Sequence, residues 1–178
     1  MKTYIALLRG INVSGQKKIK MAELRTHLSD WGFSAVQTYI QSGNIVLQDP
    51  DQGPQQIAER IRQGIASVYG FDVPVLVLIP EDLDAVLADN PFLPEKDPKR
   101  LYVTFLSSKP DPSLLNQLLQ EDYSPEAFTV VKNYIYFFSP AGYGRAKMNN
   151  NFFEKKLKVD ATTRNWRTVN KLSDMCES

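Results

Sequence analysis

One cysteine and one histidine in 178 residues leave little material for two large branches of protein chemistry. Cys176 alone excludes an internal disulfide framework and a cysteine zinc cluster. His27 falls on the first predicted helix beside its apolar face, with no acid–nucleophile pattern next to it, and reads as a partly buried structural histidine. No apolar run approaches the roughly 18 residues of a membrane span. Residues 3–8 are apolar, but Arg9 interrupts them too early for a signal-peptide core. No membrane partner and a cytoplasmic location are therefore expected. The net charge is only +1, so there is no global basic character of the kind that announces nucleic-acid binding. No spacing of His, Asp and Glu suggests a metal site, and Asp82 and Asp84 look like ordinary helix-start acids. Ser42 sits in turn chemistry rather than in a Gly-x-Ser-x-Gly elbow. Neither a cofactor nor a metal is implied, and no residue is singled out as catalytic.

What is present is a well-patterned globular chain, 43% hydrophobic and 23% charged. Residues 3–8 read as a strand and 9–18 as a glycine-containing polar loop. Met21, Leu24, Leu28 and Trp31 then recur at helical spacing, with Gly32 as a stop. Residues 36–40 and 45–48 are β-rich runs separated by Gln41-Ser42-Gly43-Asn44, which predicts a hairpin. Pro54 opens a second helix with Ile57, Ile61, Ile65 and Val68 on one face and Gly70 at its end. Residues 73–79 are almost continuously aliphatic, as in a strand buried within a sheet. The order βαββαβ is the ferredoxin-like pattern, two helices on one face of a four-stranded antiparallel sheet.

After a short helix at 81–88 and a Pro-rich charged connector, the element order partly repeats. Residues 101–106 read as a strand, 112–120 as a helix, and 128–131 with 134–138 as a hairpin. No final strand is evident. Helices near 150–158 and 163–172 follow instead. The expected fold class is α+β with two ferredoxin-like halves, the second incomplete and finished by C-terminal helices. The boundaries are 1–79, a helix and connector at 80–99, and 100–178.

Three strings, Leu7-Leu-Arg-Gly-Ile-Asn-Val13, Thr38-Tyr-Ile-Gln-Ser-Gly-Asn44 and Ala161-Thr-Thr-Arg-Asn-Trp166, together with Asn90-Pro-Phe92, resemble the bacterial domain-of-unknown-function 1697 family. The resemblance covers essentially the whole chain. It implies an α+β fold of two ferredoxin-like halves and no assigned activity. Ser14 stands where the family often has a second glycine before Gly15, and Arg167 where an asparagine is usual. The first stiffens a loop, and the second adds positive charge.

The candidate chemistry is anion binding. Gly10-Ile-Asn-Val-Ser-Gly15 lies between a strand and a helix, with Lys17, Lys18 and Lys20 behind it, the makings of an anion cradle. Its glycine spacing matches a P-loop, but Gln16 occupies the lysine position, no hydroxyl follows for magnesium, and the sheet is not parallel. Gly142-Tyr-Gly-Arg-Ala-Lys147 is a second basic loop, following an aromatic strand. On that strand Tyr134, Tyr136 and Phe138 share one face, and Ile135 and Phe137 the other. One face covers helices; the other is expected to pack in the interior rather than to stack bases, since residues 45–47 supply no matching aromatic.

Charge is polarised along the chain. Residues 9–25 carry +4, residues 142–171 carry +6, and the remainder −9. The leading expectation is a non-catalytic protein that binds a phosphate-bearing partner, RNA or a nucleotide, at a basic groove. Its residues would be Arg9, Gly10, Asn12, Lys17, Lys18, Gln41, Asn44, Arg145, Lys147, Arg164, Asn165 and Trp166. Two alternatives stay open: a small-molecule enzyme with a cleft between the halves, and a protein-interaction module using an exposed edge strand. A monomer is the default oligomeric expectation.

Overall fold

The computed structural model describes residues 1–50 and 52–177. The chain divides into two compact units, Met1–Val86 with Lys171–Ser178, and Leu87–Asn170. In the first, β1 (Lys2–Leu8), α1 (Met21–Asp30), β2 (Ser34–Tyr39), β3 (Asn44–Asp49), α2 (Pro54–Tyr69) and β4 (Val75–Leu78) follow in the anticipated order. The sheet runs β2-β3-β1-β4 with every neighbouring pair antiparallel. A further helix, α3 (Pro80–Ala88), comes next.

Alternation in the strands explains the layering. Tyr4, Ala6 and Leu8 of β1 lie beside Ile45 and Leu47 of β3 and Val77 of β4, and all pack with Met21, Leu24 and Leu28 of α1 and Ile57, Ile61 and Ile65 of α2. Both helices therefore cover one face. Pro54 opens α2 where no amide is needed, and the Gly53 amide is met by Gln56 Oε1 at 3.1 Å. Trp31, just past α1, lies flat on Gly64 of α2. A Cβ there would stand 2.6 Å from two indole ring atoms, so only glycine allows this approach. Arg60 of α2 donates from Nη1 to Asp49 Oδ2 at 2.9 Å and to Gln52 Oε1 at 2.9 Å, and from Nη2 to the Trp31 carbonyl. Its guanidinium also caps the Phe33 ring at 4.1 Å. The carboxylate of Asp49, itself buried, is thus paired rather than stranded.

The second unit has the same layout. β5 (Leu101–Leu106), α4 (Pro112–Leu119), β6 (Ala127–Val131), β7 (Tyr134–Phe138), α5 (Asn150–Leu157) and β8 (Ala161–Asn165) give the sheet order β6-β7-β5-β8, again antiparallel throughout. Asp111 and Asn149 cap α4 and α5 by accepting hydrogen bonds from their first-turn amides. Tyr102, Leu106, Ile135, Phe137 and Ala161 face Leu118, Phe153 and Leu157 of these helices. The second half is therefore not incomplete. Residues 161–165, the last three of them expected inside the final helix, are its fourth strand, paired Val103↔Arg164 and Phe105↔Thr162 along β5. The last helix, α6 (Trp166–Cys176), starts three residues later than expected and runs four residues further. Tyr134 and Tyr136 are 8% and 0% exposed, so that face of β7 is interior and not an open stacking platform.

Candidate anion-binding loop

Residues 9–20 leave the end of β1 and return to α1 as a tied-down loop. The Leu8 amide donates to the Gly43 carbonyl at 2.8 Å and the Arg9 amide to the Pro74 carbonyl at 3.0 Å. Ile11 and Ile19 sink into the core at the two ends. Between them Asn12 acts as a clamp. Its Nδ2 donates to the carbonyls of Ile19 at 2.9 Å and Gln41 at 2.8 Å, and its Oδ1 accepts from the Ile19 amide at 2.9 Å. Two further bonds, Asn12 N to Lys17 O at 3.1 Å and Gln16 N to Val13 O at 2.9 Å, fold the middle into a miniature hairpin.

The backbone in this loop is costly. Gly10, Asn12, Ser14, Gly15 and Lys17 all have positive φ, at 73°, 55°, 51°, 74° and 44°. Three of the five carry side chains, and such conformations persist only where surrounding contacts hold them, often at functional sites. The tip, residues 13–16, is exposed, and among the described residues no acceptor meets the amides of Ser14 and Gly15.

The cations around the loop are unequal. Lys17 donates from Nζ to the Asp72 carbonyl at 2.5 Å. The Asp72 carboxylate is held by Arg62 Nε at 2.5 Å and Nη2 at 2.8 Å, and this hydrogen bonding holds it below the usual carboxylate range, with the charge of Lys17 contributing. Lys20 pairs with Glu23 at 3.1 Å, and Arg25 donates to Thr38 Oγ1 at 2.6 Å. Lys18 is exposed and forms no ion pair among the described residues. Gln41 is exposed beside the clamp, offering its side chain, while its carbonyl serves Asn12. Asn44 is different. It is fully buried and donates to Tyr39 O at 3.0 Å and Ser42 Oγ at 2.9 Å, a strut of the turn. Gly43 fills the remaining space, since a Cβ there would meet Leu8 Cβ at 2.5 Å.

In the second unit the anticipated residues divide differently. Arg145 is exposed on the single turn Tyr143–Arg145, and Lys147 is exposed with its amide bound to Glu126 Oε1 at 2.8 Å. Arg164 is only 7% exposed. Its Nη1 donates to Thr162 Oγ1 at 2.8 Å and Thr163 O at 3.0 Å, and burial pushes its pKa down to about 10 despite a counteracting influence from Tyr143. Asn165 Oδ1 accepts from the Thr168 amide at 2.8 Å and starts α6, while Trp166 is buried at the first position of that helix. Arg164, Asn165 and Trp166 thus have structural duties. A polar chain unannounced by any motif lies on the helix-covered side: Thr104 Oγ1 to Thr163 Oγ1 at 2.8 Å, Thr163 to Asn150 Oδ1 at 3.0 Å, and Asn150 N to Tyr143 OH at 2.9 Å. His27 rests in an aromatic cluster with Trp31 and Tyr69, their centroids 6.0 and 5.9 Å away.

Two four-stranded antiparallel sheets with the β2-β3-β1-β4 order, each with two helices on one face, define a protein of two ferredoxin-like halves. The chain belongs to the family described as "Protein of unknown function (DUF1697)", whose model matches residues 1–136. It is similar to the conserved bacterial protein SP0830 from Streptococcus pneumoniae, at 28% identity over 98% of both chains and a TM-score of 0.77. No curated protein matches. Among the described residues no helix is long and apolar enough to cross a membrane, and no three His, Cys, Asp or Glu cluster as a metal site.

Proposed function

We propose that the protein is a non-catalytic cytoplasmic binding protein for a phosphate-bearing partner, RNA or a nucleotide, which it meets at the loop of residues 9–20. The Ser14 and Gly15 amides carry this proposal. They lie in left-handed backbone at the exposed tip of the loop that the Asn12 clamp closes, have no acceptor within the described chain, and stand four and three residues from exposed Lys18. Preset backbone amides beside a mobile cation are a general solution for oxyanions. Gln41 adds an amide at the rim.

The test is fluorescence anisotropy with a short labelled oligoribonucleotide, alongside thermal shift with nucleotides. Binding should weaken steeply with salt, the mark of phosphate contacts. Lys18→Glu should weaken it by about tenfold, the worth of roughly one charge-assisted contact. Binding that ignores both salt and Lys18→Glu overturns the proposal, as does an absence of binding to either class of probe.

A further inference from the structure

Each sheet has two edges, and three of the four edge strands are protected. β2 is bulged between Ser34 and Gln37, with Ala35 at φ 47°. β4 is four residues long, between Pro74 and Pro80. β8 carries the charged Arg164 into a sheet face. Bulges, short length, proline and inward charge are the usual devices against edge-to-edge pairing. β6 has none of them within the strand, and Pro125 stands two residues before it. Ala-Phe-Thr-Val-Val contains no charge, glycine or proline, runs in unbroken register from Ala127↔Phe138 to Val131↔Tyr134, and is half-buried along its length.

We propose that β6 is a self-complementary edge through which two copies of this chain pair antiparallel. The two-residue turn Lys132-Asn133 makes Val131↔Tyr134 a hydrogen-bonded pair, so Ala127, Thr129 and Val131 direct their backbone groups at β7. Phe128 and Val130 direct theirs outward, where no backbone partner meets them among the described residues. With Thr129 on the two-fold axis, Phe128 exchanges both bonds with the partner's Val130, and Glu126 falls opposite the partner's Lys132. The charges thus match only when the strand meets itself in reverse. Glu126 is held in place for this by the amides of Lys147 at 2.8 Å and Met148 at 3.0 Å. A five-residue seam is small, so the association is weak and concentration-dependent.

Sedimentation equilibrium of the full chain, from low micromolar to near-millimolar, should show mass rising toward two copies. Lys132→Glu changes an exposed turn residue and nothing inside. It should weaken pairing by about tenfold, less so in high salt, by placing like charges opposite twice. In a Cys176→Ser background, Thr129→Cys should cross-link on oxidation, because facing Cβ atoms of a non-hydrogen-bonded pair lie about 4.5–5.5 Å apart. Val131→Cys should not. A chain that stays single throughout, a dimer indifferent to Lys132→Glu, or equal cross-linking at 129 and 131 overturns the proposal. Capture of an unrelated extended peptide without self-association also overturns it.

Discussion

Asn12 holds both backbone groups of Ile19 with one carboxamide, accepting from its amide and donating to its carbonyl, each at 2.9 Å. Asn12→Gly keeps the positive φ but removes all three of the clamp's bonds. At about 1 kcal/mol net for each, roughly 2–3 kcal/mol of stability should go. Asn12→Ala should lose more, because alanine resists left-handed backbone. Denaturant unfolding of both variants measures the difference, and a loop that needs no clamp would leave the two equal to wild type.

Gly64 and Trp31 make a sign-reversing pair. Gly64→Ala places a Cβ where the indole ring now lies and should cost about 1–3 kcal/mol through displaced packing. In a Trp31→Ala background the same change should stabilise by about 1 kcal/mol, since alanine is the better helix former. A thermal-denaturation double-mutant cycle reads the reversal.

Arg60 neutralises a buried carboxylate. Arg60→Met removes the Arg60 guanidinium from buried Asp49 and should destabilise by about 3 kcal/mol. Adding Asp49→Asn removes the buried charge, so the double variant should be more stable than Arg60→Met alone. Urea midpoints of the two decide this.

Cys176 should react slowly. Burial, with smaller contributions from Asp84 and Glu177, pushes its thiol from 9 up to about 11. At pH 9 the thiolate fraction falls from about half to about 1%, so alkylation should be roughly fiftyfold slower than for a free thiol. The raised value favours the neutral thiol in the folded chain. Its contribution to stability is intact below pH 9 and is lost as pH rises through about 11. Rates of iodoacetamide modification against pH, folded and in denaturant, test both statements.

The first half was readable because residues 3–8 form a strand-length apolar run stopped by Arg9, and Ile57, Ile61 and Ile65 return every fourth residue along one helix face. β8 was not, for a physical reason. Its buried positions are filled by Ala161, Thr162 and Arg164, and its Thr163 is satisfied by Thr104 and Asn150, so hydrogen bonds replace the apolar alternation a strand usually displays. The loop of residues 9–20 was legible as glycine-rich and basic. That Asn12 would spend its amide on Ile19 and Gln41, and Asn44 on its own turn, depends on contacts across the chain. Trp166 carried no mark distinguishing a ring in the core from one that stacks on a base.

The division of the chain also has a consequence for biosynthesis. The unit that begins at Met1 also contains Lys171–Ser178, including buried Leu172 and Met175. A ribosome therefore delivers Leu87–Asn170 in full before it has released the last pieces of the unit it started first. The earlier-made half must wait as a partial intermediate, and domain-by-domain maturation from the N-terminus does not apply to it. A released chain truncated after Asn170 should show native-like protease resistance in the later-made half only.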